Sequence, residues 1–263
     1  MSDAIQSVRA GTGPQTLVLL HGFGATHAAW NDLLPALSAT MQVIAYDLPG
    51  HGRSLDTAGA GQARTMAKAI LEDLAATGLD RIHVAGHSMG GAVAALMALM
   101  APERAASLTL LAPGGIGEAI NGTLLRRYTA ASDENALRAS LLAMSGPQAH
   151  VPQATLRQAL AMRARPGQME RLAGIVAMIA RGERQGVIPR ESLTALTMPV
   201  AVLWGEKDPV LPFAQTAGLP PGFVLRAVAG AGHMLVEEAP DDVLLAITAN
   251  VARATAIASG RNE

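Results

Sequence analysis

The sequence of 263 residues predicts an α/β fold: a mostly parallel central sheet flanked by helices, with one inserted helical cap. Two observations carry that expectation. In the first half, short apolar β-like runs alternate with helical runs, the pattern of parallel strands joined by crossover helices. Across 116–190 the pattern turns wholly helical, rich in Ala, Leu, Met and Arg, and strand-like runs then return.

Strands are expected over 16–20, 43–47, 82–85 and 107–111, each an apolar run ended by a glycine- or proline-containing turn. Helices are expected over 28–37, 63–77 and 90–100. The last is apolar almost all round, as befits a helix packed centrally against a sheet. Further strands are expected over 200–204 and 224–228, with a final helix over 241–258. The core is thus assigned to 1–115 and 191–263 and the cap to 116–190. Only one strand fits ahead of Thr16.

Composition narrows the function. The chain is 50% hydrophobic but only 3% aromatic, so its core must be built from Ala, Leu, Val, Ile and Met. A formal charge of -1 gives no electrostatic basis for binding nucleic acid or an anionic membrane. Without cysteine there is no thiolate nucleophile, disulfide or Cys-based zinc site. No secretory signal is visible, and the apolar run 92–101 is too short to span a bilayer. The expectation is a cytoplasmic protein, and Asn121-Gly122-Thr123 is not expected to carry a glycan. No paired His or carboxylate cluster has metal spacing and no G-x-G-x-x-G appears, so neither metal nor cofactor is expected.

Gly86-His87-Ser88-Met89-Gly90 fits G-x-S-x-G, a pattern weak on its own in so glycine-rich a chain. Its position between a strand and a helix gives it force, because a sharp strand-to-helix turn holds the serine hydroxyl out at the carboxyl edge of the sheet. An isolated serine hydroxyl is a poor nucleophile and needs a base. His233, in the short loop before the last helix, can reach over the strand ends. His87 adjoins Ser88 but should point away; His83 lies within a strand, and His27 and His150 have no motif around them. The third member should be a carboxylate after a strand: Asp208, with Glu206 as rival. Asp208 is preferred because the intervening residues let the loop turn over the sheet edge before Pro209. The backbone N–H groups of Phe23 and Met89 are the candidate donors for an oxyanion.

His21-Gly22-Phe23-Gly24, the block from Asp47 to Ser54, Gly86 to Gly91, Trp204 to Asp208 and Gly230 to His233 together resemble the ordered landmarks of the α/β-hydrolase superfamily. They cover nearly the whole chain. The resemblance implies an α/β-hydrolase fold and a Ser-Asp-His triad. It makes the Asp47–Ser54 block a structural turn, with no catalytic role for His51. Ala112 to Gly122 resembles the cap entrance of the hydrolase-like domain of acetoin dehydrogenase E2-type proteins. Those carry a lipoyl domain ahead of it, whereas little precedes the first core strand here, and neither Lys68 nor Lys207 sits in a lipoyl-type hairpin.

The expected activity is hydrolysis of a carboxylic ester, lactone or thioester of a small, largely apolar molecule through an acyl-enzyme on Ser88. The same triad serves carbon–carbon bond hydrolases of ring-cleavage products, perhydrolases, and triad-bearing ligand receptors or acetoin-dehydrogenase-associated proteins. Met144, Met162, Met169 and Met178 are candidates to line a pliable apolar pocket, with ordinary packing of the cap helices the expectation for most of them. Arg126, Arg127, Arg138, Arg157, Arg163 and Arg165 are each expected mainly as solvated surface, and Trp30 and Trp204 as packing residues. The sequence assigns no oligomeric state.

Overall fold

In the computed structural model, which describes residues 4–260, the apolar runs become seven strands of one sheet. They are β1 (Gln6–Ala10), β2 (Gln15–Leu20), β3 (Met41–Asp47), β4 (Ile82–His87), β5 (Ala105–Leu111), β6 (Val200–Gly205) and β7 (Phe223–Val228). Their spatial order is β1-β3-β2-β4-β5-β6-β7. Only β1 runs antiparallel to its neighbour. All six expected strands are present, and among the described residues β1 is the single strand ahead of Thr16. The outermost expected core bounds, residues 1 and 263, lie outside the described residues.

Ten α-helices occur among the described residues: α1 (Leu34–Ser38), α2 (Ala63–Ala76), α3 (Met89–Met100), α4 (Gly122–Ala130), α5 (Glu134–Met144), α6 (Gln153–Arg163), α7 (Gln168–Ile179), α8 (Arg190–Thr194), α9 (Leu235–Glu238) and α10 (Pro240–Ala258). α3 packs on β4 and β5, and α10 on β5 and β6. Leu17, Val18, Leu19 and Leu20 of β2 are fully buried, as a strand covered on both faces requires. Trp30 and Trp204 are fully buried packing residues.

The helix expected over 28–37 is a correction. The chain instead makes a 3-10 turn, His27–Trp30, and then the separate short α1. Pro35 in the first turn of α1 explains the break. Having no N–H and a fixed φ, it starts a helix readily but cannot continue one.

Between β5 and β6 lie α4 to α8, and no strand forms there among the described residues, only isolated bridges at Ala119, Arg181 and Arg184. Two of these helices begin where the sequence supplies a cap. The Asn121 side chain accepts from Leu124 N–H, and that of Asp133 from Ala136 N–H. Each such cap stabilises its helix by about 1 kcal/mol. Among the described residues no helix is long and apolar enough to cross a membrane.

Candidate active site

Ser88 stands between β4 and α3 with φ 52° and ψ -115°, a backbone conformation that a side-chain-bearing residue rarely adopts and that costs about 1–3 kcal/mol. The surroundings hold it there. Its N–H donates to Leu111 O at 2.9 Å, and its own carbonyl accepts from the Gly91 and Gly114 N–H groups. The turn closes only because Gly86 and Gly90 lack side chains. A Cβ at Gly86 would lie 2.3 Å from Gly90 O, and one at Gly90 would lie 2.4 Å from Leu20 O.

From this turn the Ser88 Oγ faces His233 Nε2 at 2.9 Å, and His233 Nδ1 faces Asp208 Oδ2 at 2.7 Å. The other carboxylate oxygen of Asp208 accepts from the Val210 and Leu211 N–H groups, both at 2.8 Å. Those bonds fix the carboxylate after β6. The carboxylate keeps the imidazole proton on Nδ1, leaving Nε2 free to accept from the serine hydroxyl. His233 and Asp208 are both buried, so their attraction is little screened by water. The three side chains selected from the sequence thus meet in one hydrogen-bonded row. Glu206, the rival carboxylate, is exposed.

Among the described residues the N–H groups of Phe23 and Met89 have no protein acceptor. Both residues line, with Ser88, a cavity of about 1020 Å³. Met89 opens α3, so the positive end of that helix dipole adds to the field there. The Phe23 loop is braced from two sides. Gly24 N–H donates to His51 Nε2 at 3.1 Å, and Gly24 O accepts from the Tyr128 hydroxyl at 2.9 Å. A positive φ of 73° at Gly24, with the Tyr128 ring where a Cβ would lie, requires glycine there.

Beneath this loop, His21 accepts the Leu48 N–H at Nε2 and donates from Nδ1 to Gly22 O. Burial lowers its pKa to about 4 and that of His51 to about 3, so both rings are neutral braces. Asp47 accepts from the His27 N–H and ring and from the Arg53 N–H. Burial alone would raise this carboxyl; those bonds outweigh it and hold the group at about 2.

Four contributors escaped the sequence reading. His87 does not simply point away: its Nε2 donates to His233 O at 2.8 Å, and the two ring centres lie 5.0 Å apart. Burial lowers its pKa to about 3. Glu238 accepts from Gly146 N–H at 2.7 Å, Gly232 N–H at 2.9 Å and Met234 N–H at 3.0 Å, joining the turn after α5 to the His233 loop. Tyr128 braces the Phe23 loop as described. Arg163 is not solvated surface but buried, its guanidinium 4.4 Å from the Tyr128 ring centre. Of these only the spacing of Glu238 from His233 was visible in sequence. Of the four methionines, Met178 lines the large cavity, while Met144 lines a smaller one beside His233. The arginine on the large cavity is Arg64, outside the helical insertion. No group of three or more His, Asp or Glu side chains among the described residues could hold a metal ion.

The strand–serine–helix turn, the histidine and carboxylate bonded in a row to it and two backbone donors without a protein acceptor make up one candidate site. The chain belongs to the α/β hydrolase family, whose model matches residues 17–247. It is 38% identical over 235 residues to the dihydrolipoyllysine-residue acetyltransferase component of the acetoin cleaving system of Pseudomonas putida, covering 89% of this chain and 62% of that protein. It therefore spans about three-fifths of that relative's length. To a pimeloyl-[acyl-carrier protein] methyl ester esterase of Aeromonas hydrophila it is 32% identical over 220 residues, 79% of this chain and 82% of that one. Among solved structures, a meta-cleavage product hydrolase from Pseudomonas fluorescens superposes with TM-score 0.81 at 21% identity, covering 95% of this chain and 94% of that one. At that identity the likeness is one of fold.

Proposed function

We propose that the chain is a serine hydrolase that cleaves a carboxylic ester, or a lactone or thioester, of a largely apolar small molecule. The observation that carries this reading is the hydrogen-bonded row Ser88–His233–Asp208, whose serine shares a cavity wall with Phe23 and Met89, the two residues whose N–H groups have no acceptor among the described residues. In the first half-reaction His233 Nε2 takes the Ser88 proton as Oγ attacks the carbonyl carbon. The Phe23 and Met89 N–H groups receive the developing oxyanion, and each such donor contributes on the order of 3 kcal/mol. The imidazolium then gives its proton to the departing alcohol oxygen. Water, deprotonated by the same nitrogen, splits the acyl-enzyme and restores Ser88.

The helical insertion, with bounds at 116–190, serves as a cap over this site: Tyr128 braces the Phe23 loop, while Leu125 and Met144 wall the cavities at Ser88. The test is hydrolysis of p-nitrophenyl acetate by the wild type and by Ser88→Ala. Loss of at least about 10³-fold in kcat supports the reading. Equal rates in the two proteins, or no rate above background in either, refutes it.

The identity to the Pseudomonas putida acetyltransferase component favours one second reading, transfer of the acyl group from Ser88 to a thiol instead of water. Adding dihydrolipoamide to the same assay measures it. A thioester product supports transfer, and free acid alone excludes it.

A further inference from the structure

Two cavities of very different size meet at Ser88. The larger, about 1020 Å³, holds both candidate oxyanion donors but not His233. The smaller, about 40 Å³, holds His233, Trp30 and Glu237 but not Met89. Ser88, Phe23 and Leu125 belong to both and form the partition.

The larger cavity is shaped by an anomaly of α3. A helix apolar all round is normally covered all round, yet Ala92, Leu96, Leu99 and Met100 are only partly buried. With Ser88, also partly buried, they fall at i, i+4, i+8, i+11 and i+12, a single stripe down one face. The same cavity is lined by Met178 and Val187, each 44% exposed and among the most exposed large apolar side chains of the described residues. At a rise of about 1.5 Å per residue the stripe runs roughly 18 Å from Ser88 to Met100. That matches an extended chain of about fourteen carbons, since bonds of about 1.5 Å in a zigzag advance about 1.3 Å each.

We infer that the larger cavity is the acyl-chain subsite and the smaller one the alcohol subsite, so that the substrate class is esters of medium- to long-chain acids with short alcohols. This rests on the hydrolase reading above. The carbonyl must lie at the oxyanion donors, which wall the large cavity. The leaving oxygen must lie within reach of His233, which walls the small one. Since about 10–15 Å³ of such space holds one water, the small cavity takes a few waters or an alcohol of one to three carbons. In the reaction the acyl carbon bonds to Ser88 Oγ, and its bond to the alkoxide oxygen breaks. The serine proton leaves through His233 with the alcohol, whose vacated space admits the hydrolytic water.

Methyl decanoate and nonyl acetate, two isomers of equal composition that place the long chain on opposite sides of the ester, provide the test in a pH-stat. The expected result is a kcat/KM at least tenfold higher for methyl decanoate. Across methyl esters kcat/KM should rise about two- to fourfold per added methylene until the stripe is filled. Leu96→Trp, which blocks the stripe midway, should lower the decanoate-to-butanoate ratio at least tenfold; Val187→Trp, at an exposed position lining the same cavity, serves if that variant misfolds. Titration of sodium decanoate into Ser88→Ala reads the subsite without turnover, and binding that butanoate does not share is expected. Equal or reversed preference between the isomers overturns the assignment while Ser88-dependent hydrolysis preserves the hydrolase reading. Absence of decanoate binding overturns it as well. If no ester is cleaved, the hydrolase reading falls.

Discussion

Glu238→Ala should damage stability and turnover together, because one carboxylate ties the loop carrying His233 to the helical insertion. Glu238 accepts three backbone N–H groups, two on the His233 loop and one on the turn after α5. Gly146 and Gly232 are buried there and packed backbone to backbone; a Cβ on Gly232 would lie 2.4 Å from Gly146 N. A hydrogen bond to a charged acceptor contributes about 1.5–3 kcal/mol, and each buried donor left unpaired costs about 1–3 kcal/mol. Water can replace part of this at the partly buried carboxylate, so the expected loss is about 3–4 kcal/mol for Ala. Glu238→Gln keeps one acceptor oxygen and should lose roughly half as much. His233 N–H also donates to Met144 O at 2.9 Å, so release of this turn moves the imidazole. A displacement of about 1 Å costs on the order of 10²-fold in rate. Urea unfolding and kcat on p-nitrophenyl acetate measure both effects. A loss below about 1 kcal/mol with kcat within twofold of wild type would refute the clamp.

Tyr128→Phe removes the bond to Gly24 O and should lower kcat about three- to tenfold with KM little changed, the loss of one neutral hydrogen bond of about 1 kcal/mol; an unchanged kcat would show that the Phe23 loop needs no brace from the insertion. Gly90→Ala puts a methyl group 2.4 Å from the Leu20 carbonyl oxygen and should cost at least about 3 kcal/mol or abolish soluble expression; thermal melting within a few degrees of wild type would contradict this. Stability should peak near pH 6 to 7. Burial depresses His21, His51 and His87, so each contributes stability above its unfolded value of about 6.5 that is lost as pH falls toward 4 and 3. Glu237 works in the opposite sense: burial raises it to about 8, so stability present below its unfolded value near 4.5 is lost as pH rises through 8. Urea midpoints from pH 4 to 9 should trace this dome, and Glu237→Gln should flatten its alkaline limb; an unaltered limb would exclude Glu237 as the cause.

What could be read from the sequence was whatever is encoded locally. The elbow of Gly86 to Gly90 announces itself because small residues, strand and helix lie within a few positions. Asp208 and His233 follow from loops directly after strands. The break at Pro35 is equally local, but an amphipathic pattern runs across it and masks it. The remainder depends on long-range packing. Nothing near Tyr128 says that its hydroxyl will meet Gly24, and nothing near Arg163 says that it will lie under that ring. His87 looked inert from its position beside Ser88, but the register of β4 carries its ring to the His233 backbone. The half-covered stripe on α3 is likewise invisible in a run that reads as uniformly buried.

Whether Ser88 is an activated nucleophile is read most directly by intact-mass spectrometry after exposure to a fluorophosphonate. A single phosphonyl adduct is expected on the peptide containing Ser88, absent from Ser88→Ala and slowed by at least about 10²-fold in His233→Ala, which lacks the base. Equal labelling of wild type and Ser88→Ala, or no adduct on the folded wild-type protein, would contradict that activation.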